Sequence, residues 1–131
     1  MSLENIYKAV TEDIEVEVIP LYIPEQTQFE NQHLFTYNVS ITNHSQTTCK
    51  LLRRHWIIMD GLGRREDVEG EGVVGEQPTL VPGDNYQYSS YCPIPTPTGN
   101  MRGSFLFEDD NGNNFSVKVP LFFLRPDTVL Q

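Results

Sequence analysis

Apolar residues recur at every second position through most of this chain. Ile14, Val16 and Val18 alternate with Glu15 and Glu17, which describes a strand with one buried and one charged face. Pro20 and Pro24 edge it, and Leu21 to Ile23 extend it past the first proline. Phe35, Tyr37, Val39 and Ile41 repeat the pattern, separated by Thr36, Asn38, Ser40 and Thr42. From Cys49 to Met59, alternation puts Leu52, Arg54, Trp56 and Ile58 on one face and Leu51, Arg53, His55, Ile57 and Met59 on the other. A charged strand from Arg64 to Val68 follows, then alternations through Tyr86, Tyr88 and Ser90 and through Met101, Gly103, Phe105 and Phe107. The last strand is expected to face inward with Phe115, Val117, Val119, Leu121 and Phe123.

The intervals are turn chemistry. Asn43–Gln46, Asp60-Gly61-Leu62-Gly63, Pro82-Gly83 and Asp110-Asn111-Gly112-Asn113 are polar or supply glycine for positive φ. A loop is expected over Glu25 to Gln32, and a rigid extended connection through Pro93, Pro95 and Pro97, turning at Thr98-Gly99. Residues 1–12 show no period and are expected to be a short frayed segment, and the chain ends in a loose tail. No stretch carries the apolar spacing of an amphipathic helix. Short strands with regular turns predict an all-β fold: an immunoglobulin-like antiparallel β-sandwich of seven to eight strands. Trp56 suits the central core position of such sandwiches, but Cys49 shares its strand, so the antibody cysteine–tryptophan–cysteine spacing is missing. The fibronectin type III-like variant is therefore expected.

At 131 residues the chain fits one domain spanning 1–131. A mean hydropathy of -0.39 with 38% hydrophobic residues reads as globular rather than disordered. No window approaches the roughly 18 apolar residues of a membrane helix. The N-terminus, Met1-Ser2-Leu3-Glu4-Asn5, lacks the basic start and apolar run of a signal peptide. A cytoplasmic protein without membrane partners is expected. Two cysteines, Cys49 and Cys92, are too few for a disulfide framework, and both are expected to be buried or half-buried small hydrophobes. The net charge of -9 excludes nucleic acid as a natural ligand, because phosphate binding needs clustered Lys and Arg. Arg53-Arg54 and Arg64-Arg65 form the one basic cluster, which suits a small anion or an acidic partner.

Gly70-x-Gly72-x-x-Gly75 has the spacing of a dinucleotide loop. That motif needs a helix opening on its last glycine, and Pro78 and Pro82 forbid one here. The bland reading is a bulged loop whose glycines permit positive φ and close backbone contact. The functional reading is an anion nest of Gly70, Gly72 and Gly75 N–H groups, with Arg64 or Arg65 supplying charge. Glu69, Glu71 and Glu76 would oppose it, so any pyrophosphate-type affinity would be weak.

Other chemistry finds no pattern. Counted as a calcium loop from Asp109, the chain has Asn114 where glycine belongs and Pro120 where the bidentate glutamate belongs. His33, His44 and His55 lack ligand spacing, so neither metal nor cofactor is expected. There is no Gly-x-Ser-x-Gly elbow, and six strand residues put Cys49 and His55 roughly 20 Å apart. Adjacent Glu66 and Asp67 point to opposite faces. No enzyme is expected. The aromatic set Tyr86, Tyr88, Tyr91 and Trp56, with Pro93–Pro97, suggests instead a protein-binding surface.

Specific motifs then carry a resemblance. Arg53-Arg54-His55-Trp56-Ile57-Ile58, Asp60-Gly61-x-Gly63 and Gly70-Glu71-Gly72-Val73-Val74-Gly75-Glu76-Gln77-Pro78 resemble the ApaG (CorD) family. So do Pro82-Gly83, Tyr86-x-Tyr88, Thr96-Pro97-x-Gly99-x-Met101-x-Gly103 and Val119-Pro120-x-Phe122, a resemblance running from about Val10 to Leu124. Tyr91 departs from it, standing where the family pattern has glycine. The resemblance implies a fibronectin-type sandwich, a role linked to cobalt and magnesium homeostasis, and nucleotide or pyrophosphate binding suggested from the glycines. Similar domains in eukaryotic F-box proteins and in a polymerase-interacting protein imply a protein-interaction module. The expected partner is a protein, with a homodimer left open.

Overall fold

The computed structural model describes residues 5–24 and 32–126. Among them lie nine strands: β1 (Tyr7–Thr11), β2 (Ile14–Tyr22), β3 (His33–Asn43), β4 (Cys49–Asp60), β5 (Arg65–Glu71), β6 (Thr79–Leu80), β7 (Asn85–Ile94), β8 (Gly99–Asp109) and β9 (Asn114–Leu124). Most of the expected 25–32 loop, residues 1–4 and the tail beyond 126 fall outside the described residues. Nine is more than the expected seven to eight, and two of them lie where no alternation marks a strand. β1 pairs with β2 from Tyr7↔Val18 to Thr11↔Ile14, where no period was visible. β6 is a two-residue pairing with the start of β4. β7 also runs through Pro93 to Ile94, so that stretch is strand rather than a separate proline connection. As an edge strand it tolerates the missing N–H.

The strands form two antiparallel sheets, ordered β1-β2-β3-β7 and β5-β4-β8-β9. Their inner faces meet in a core centred on Trp56, whose ring touches Tyr37 at 5.2 Å, Phe105 at 6.0 Å and Phe122 at 6.0 Å. The tilted and edge-on geometries are those aromatic quadrupoles favour. Asn43 is the buried polar exception among the described residues. Its side-chain amide donates to the carbonyls of Thr47 and Leu80, and its Oδ1 accepts from Ser45, so one side chain ties the β3–β4 turn to β6.

Two bulges change the faces that alternation predicts. Along β4–β8 the register slips between Leu51 and Arg53. Leu52 is the extra residue, so Leu51 and Trp56 both point into the core although five positions apart. Leu52, expected beside Trp56, belongs to the other side. Along β8–β9 the pairs Met101↔Phe122 and Gly103↔Val119 leave Pro120 and Leu121 opposite Arg102. Val117 and Val119 face inward, but beyond the bulge it is Phe122 and Leu124 that do. Leu121 and Phe123, expected inside, are 45% and 41% exposed. Pro120 has no N–H to leave unpaired at the break.

The two sides of the sandwich differ. On one, β1 and β2 pack against β9, and the Lys118 N–H donates to Thr11 Oγ1 at 3.1 Å. On the other, β5 and β7 are edge strands without contact of that extent among the described residues. That open side holds the features of interest.

Candidate functional site

The glycine loop hangs from the β4 bulge. The Leu52 carbonyl accepts the Gly72 N–H at 2.8 Å and Gln77 Nε2 at 2.9 Å. Val73 and Glu76 exchange both backbone hydrogen bonds, at 2.8 and 2.9 Å. Between them Val74 and Gly75 take φ of 40° and 84°, the doubly positive pattern of a tight two-residue hairpin. The N–H groups of Gly72, Val73 and Glu76 are thus turned to the sheet and to each other. Val74 is a β-branched residue held at positive φ, a costly conformation, and it stands 54% exposed at the tip.

Arg54, on the inner face of β4, reaches this loop. Its Nη1 donates to the carbonyls of Glu71 and Gly72, both at 3.0 Å. A Cβ on Gly70 would lie 2.9 Å from the two terminal guanidinium nitrogens, so the absent side chain at Gly70 lets the guanidinium lie against the backbone. Arg54 takes part in none of the ion pairs among the described residues. Carbonyls hold one nitrogen and leave Nε and Nη2 without a hydrogen-bond partner there.

Arg64 and Arg65 are placed elsewhere. Arg64 Nε pairs with Asp60 Oδ2 at 2.9 Å across its own hairpin. Arg65 Nε and Nη2 clamp Asp67, and His55 Nε2 meets the same carboxylate at 2.8 Å. The Arg65 hydrogen bond first, and His55 after it, hold the Asp67 carboxyl well below the usual range. Gly70 stands five residues along β5 from Arg65, about 16 Å at strand rise. The structure therefore joins Gly70 and Gly72 with Arg54, not with Arg64 or Arg65. Arg54 was legible only as part of a basic cluster, since sequence adjacency does not show which arginine faces inward.

A groove of about 260 Å³ separates β5 from β7 beside this guanidinium, lined by Arg54, Glu66, Val68, Ser90, Tyr91 and Cys92 among others. Larger depressions occur on the outer sheet faces, but this one holds the unpaired guanidinium. Tyr88 sends its hydroxyl inward, buried and without a hydrogen-bond partner among the described residues. Burial pushes that hydroxyl, and that of Tyr37, above the ordinary range. Of the expected aromatic surface, Trp56 is core at 3% exposure, Tyr86 and Tyr88 are half-buried, and Tyr91 stands out at 69%.

Both thiols are buried and unpaired with one another. Burial, with the charges of Asp109 and Asp110, pushes Cys49 up to about 11; burial, with Glu66, pushes Cys92 up to about 12. These groups are neutral when protonated, so the folded state holds their protons more tightly than the unfolded chain does. Their contribution is complete below the ordinary thiol value of 9.0 and is lost as pH rises towards 11 and 12. Urea unfolding midpoints should accordingly fall between pH 9 and 12, more gently in a Cys92→Ala variant. The folded protein should resist alkylation by iodoacetamide at neutral pH; rapid labelling there would contradict the burial.

Fold and site together define an antiparallel β-sandwich of fibronectin type III-like class, closed along one side and open along the other. The family model described as the ApaG domain matches residues 24–109. Protein ApaG of Rhodopseudomonas palustris strain TIE-1 is 48% identical over 120 residues, covering 91% of this chain and 92% of that one. Protein ApaG of Paramagnetospirillum magneticum is 47% identical over the same length and coverage. A crystal structure of the putative ApaA protein from Bordetella pertussis superimposes with a TM-score of 0.84 at 44% identity, covering 89% of this chain and 97% of that one. The chain belongs to the ApaG family.

Proposed function

We propose that this protein is a non-enzymatic cytoplasmic binding module that takes an extended segment of a partner protein along β7. The observation that carries the reading is the β7 edge itself. Its ten residues, Asn85–Ile94, include no charged side chain. From Asn85 to Cys92, short of Pro93, such an edge offers a row of backbone donors and acceptors for strand addition. The facing edge, β5, is guarded by Arg65, Glu66, Asp67, Glu69 and Glu71. Beside β7 the free donors of Arg54 would take a carboxylate of the incoming segment, a charge-assisted pairing. A second copy pairing through β7 would give a homodimer. Among the described residues no three His, Cys, Asp or Glu side chains come together to hold a metal, so the link to cobalt and magnesium homeostasis is proposed to run through the partner.

Panning a random-peptide phage library on the protein tests this reading. Expected is enrichment of extended sequences with an acidic residue, weakened about tenfold or more by Arg54→Gln, since a charge-assisted contact contributes on the order of 1.5–3 kcal/mol. No enrichment on the parent, or an Arg54→Gln variant that folds and binds equally, would overturn it.

A phosphate-type anion on the same guanidinium is the second reading, supported by the open Nε and Nη2 of Arg54. The inward-turned N–H groups of Gly72, Val73 and Glu76 weigh against the glycine nest. Calorimetry with pyrophosphate, with and without magnesium, separates the two; no heat in either titration removes the anion.

A further inference from the structure

The outer face of the β5-β4-β8-β9 sheet carries a different pattern from the groove. Across it, register aligns His55 with Ser104 and Ser104 with Lys118; in the next row Ile57 stands opposite Arg102. The bulge at Pro120 turns Leu121 outward beside Arg102, and Phe123 outward one step further on, with Arg125 over its ring at 5.4 Å. The result is a shallow depression of about 450 Å³ lined by His55, Ile57, Arg102, Ser104, Lys118 and Leu121.

The electrostatics are unusual for this chain. It has 18 Asp and Glu against 9 Lys and Arg, yet the exposed Arg102 and Lys118 join no ion pair among the described residues. On the neighbouring edge strand Glu71 stands opposite Arg53 and Glu69 opposite His55, and Asp67 is already held by Arg65 and His55; Arg102 and Lys118, further in, have no carboxylate opposite them. Cations left uncompensated around exposed apolar side chains mark a docking face better than either feature alone. The complement is acidic with an apolar anchor. The patch spans about one Debye length, roughly 10 Å, while the whole chain carries a charge of -9. An extended polyanion would meet repulsion beyond the patch; a short acidic segment of a folded partner would not.

We infer that this face is a second docking surface, separate from the β7 groove, for a short acidic segment of a partner protein. Its carboxylates pair with Arg102 and Lys118, and an apolar side chain sits in the depression over Gly103 and Ser104. Fluorescence anisotropy with a labelled peptide of alternating glutamate and leucine tests it, using the lysine–leucine peptide as control. The acidic peptide should bind, weaken with salt, and lose about tenfold or more of its affinity in the charge-reversed R102E/K118E variant. Both positions are exposed, so that variant should melt near the parent temperature. Parent and variant are compared with Arg54→Gln in both, which weakens binding of the same peptide in the β7 groove and so distinguishes the face from the groove. Failure of the acidic peptide to bind, or equal binding by R102E/K118E, would overturn the inference. So would preferential binding of an RNA oligomer or of phosphatidylserine vesicles, or a self-association abolished by R102E/K118E.

Discussion

Replacing Trp56 with alanine should cost about 3–5 kcal/mol of stability, the range for removing a large aromatic from a packed core. Trp56 is 3% exposed and meets Tyr37, Phe105 and Phe122 from three strands in both sheets. Those strands cannot all close on the space left behind, because each is pinned by its own ladder. Domains of this kind have roughly 5–15 kcal/mol in total, so the change takes a large share and should lower the melting midpoint by on the order of 10–20 °C. Trp56→Phe should cost much less, since it keeps an aromatic in contact with the same rings. Urea unfolding followed by far-ultraviolet circular dichroism is the measurement, because the substitution removes the chain's single tryptophan. A loss below about 1 kcal/mol would mean that Trp56 does not hold the sheets together.

The second large effect is Gly72→Ala, with an expected loss of about 2–5 kcal/mol from left-handed strain together with overpacking. Gly72 has a φ of +63°, and a Cβ there would stand 2.2 Å from the carbonyl oxygen of Glu76. That carbonyl is fixed by the Val73 N–H, so it cannot retreat without opening the hairpin. Gly75 makes the contrast. It has a φ of +84° but nothing within 4 Å of a built Cβ, so Gly75→Ala should cost only about 1–2 kcal/mol of backbone strain. The ranking is the test: if thermal melts place Gly75→Ala below Gly72→Ala, close approach is not what selects the glycine.

The same pair of residues shows why the motif is legible while its purpose is not. Gly70 and Gly72 stand out at once in the sequence, and their spacing invites a phosphate-loop reading. In the fold, Gly70 makes room for the Arg54 guanidinium and Gly72 brings the loop onto the Leu52 carbonyl. The glycines serve an arginine sixteen or more positions away, and no local spacing records that. Arg64 and Arg65, nearer in the chain, are drawn off by carboxylates closer at hand, Arg64 by Asp60 across the hairpin and Arg65 by Asp67 two residues along β5.

By itself the sequence determined the fold class, because period-two alternation and the turn residues are local properties and each appears in the chain as written. Seven of the nine strands, the hairpins and the core position of Trp56 followed from them. Only the tertiary structure decided the phase of the long strands and the side on which the sandwich opens. Leu51-Leu52 and Leu121 to Leu124 are continuous apolar runs, so a one-residue bulge inside either leaves no mark in the pattern while reversing every face beyond it. Which edges meet is likewise set by how two twisted sheets pack, and that packing places an unpaired arginine in the groove beside β7 and cations on the outer face.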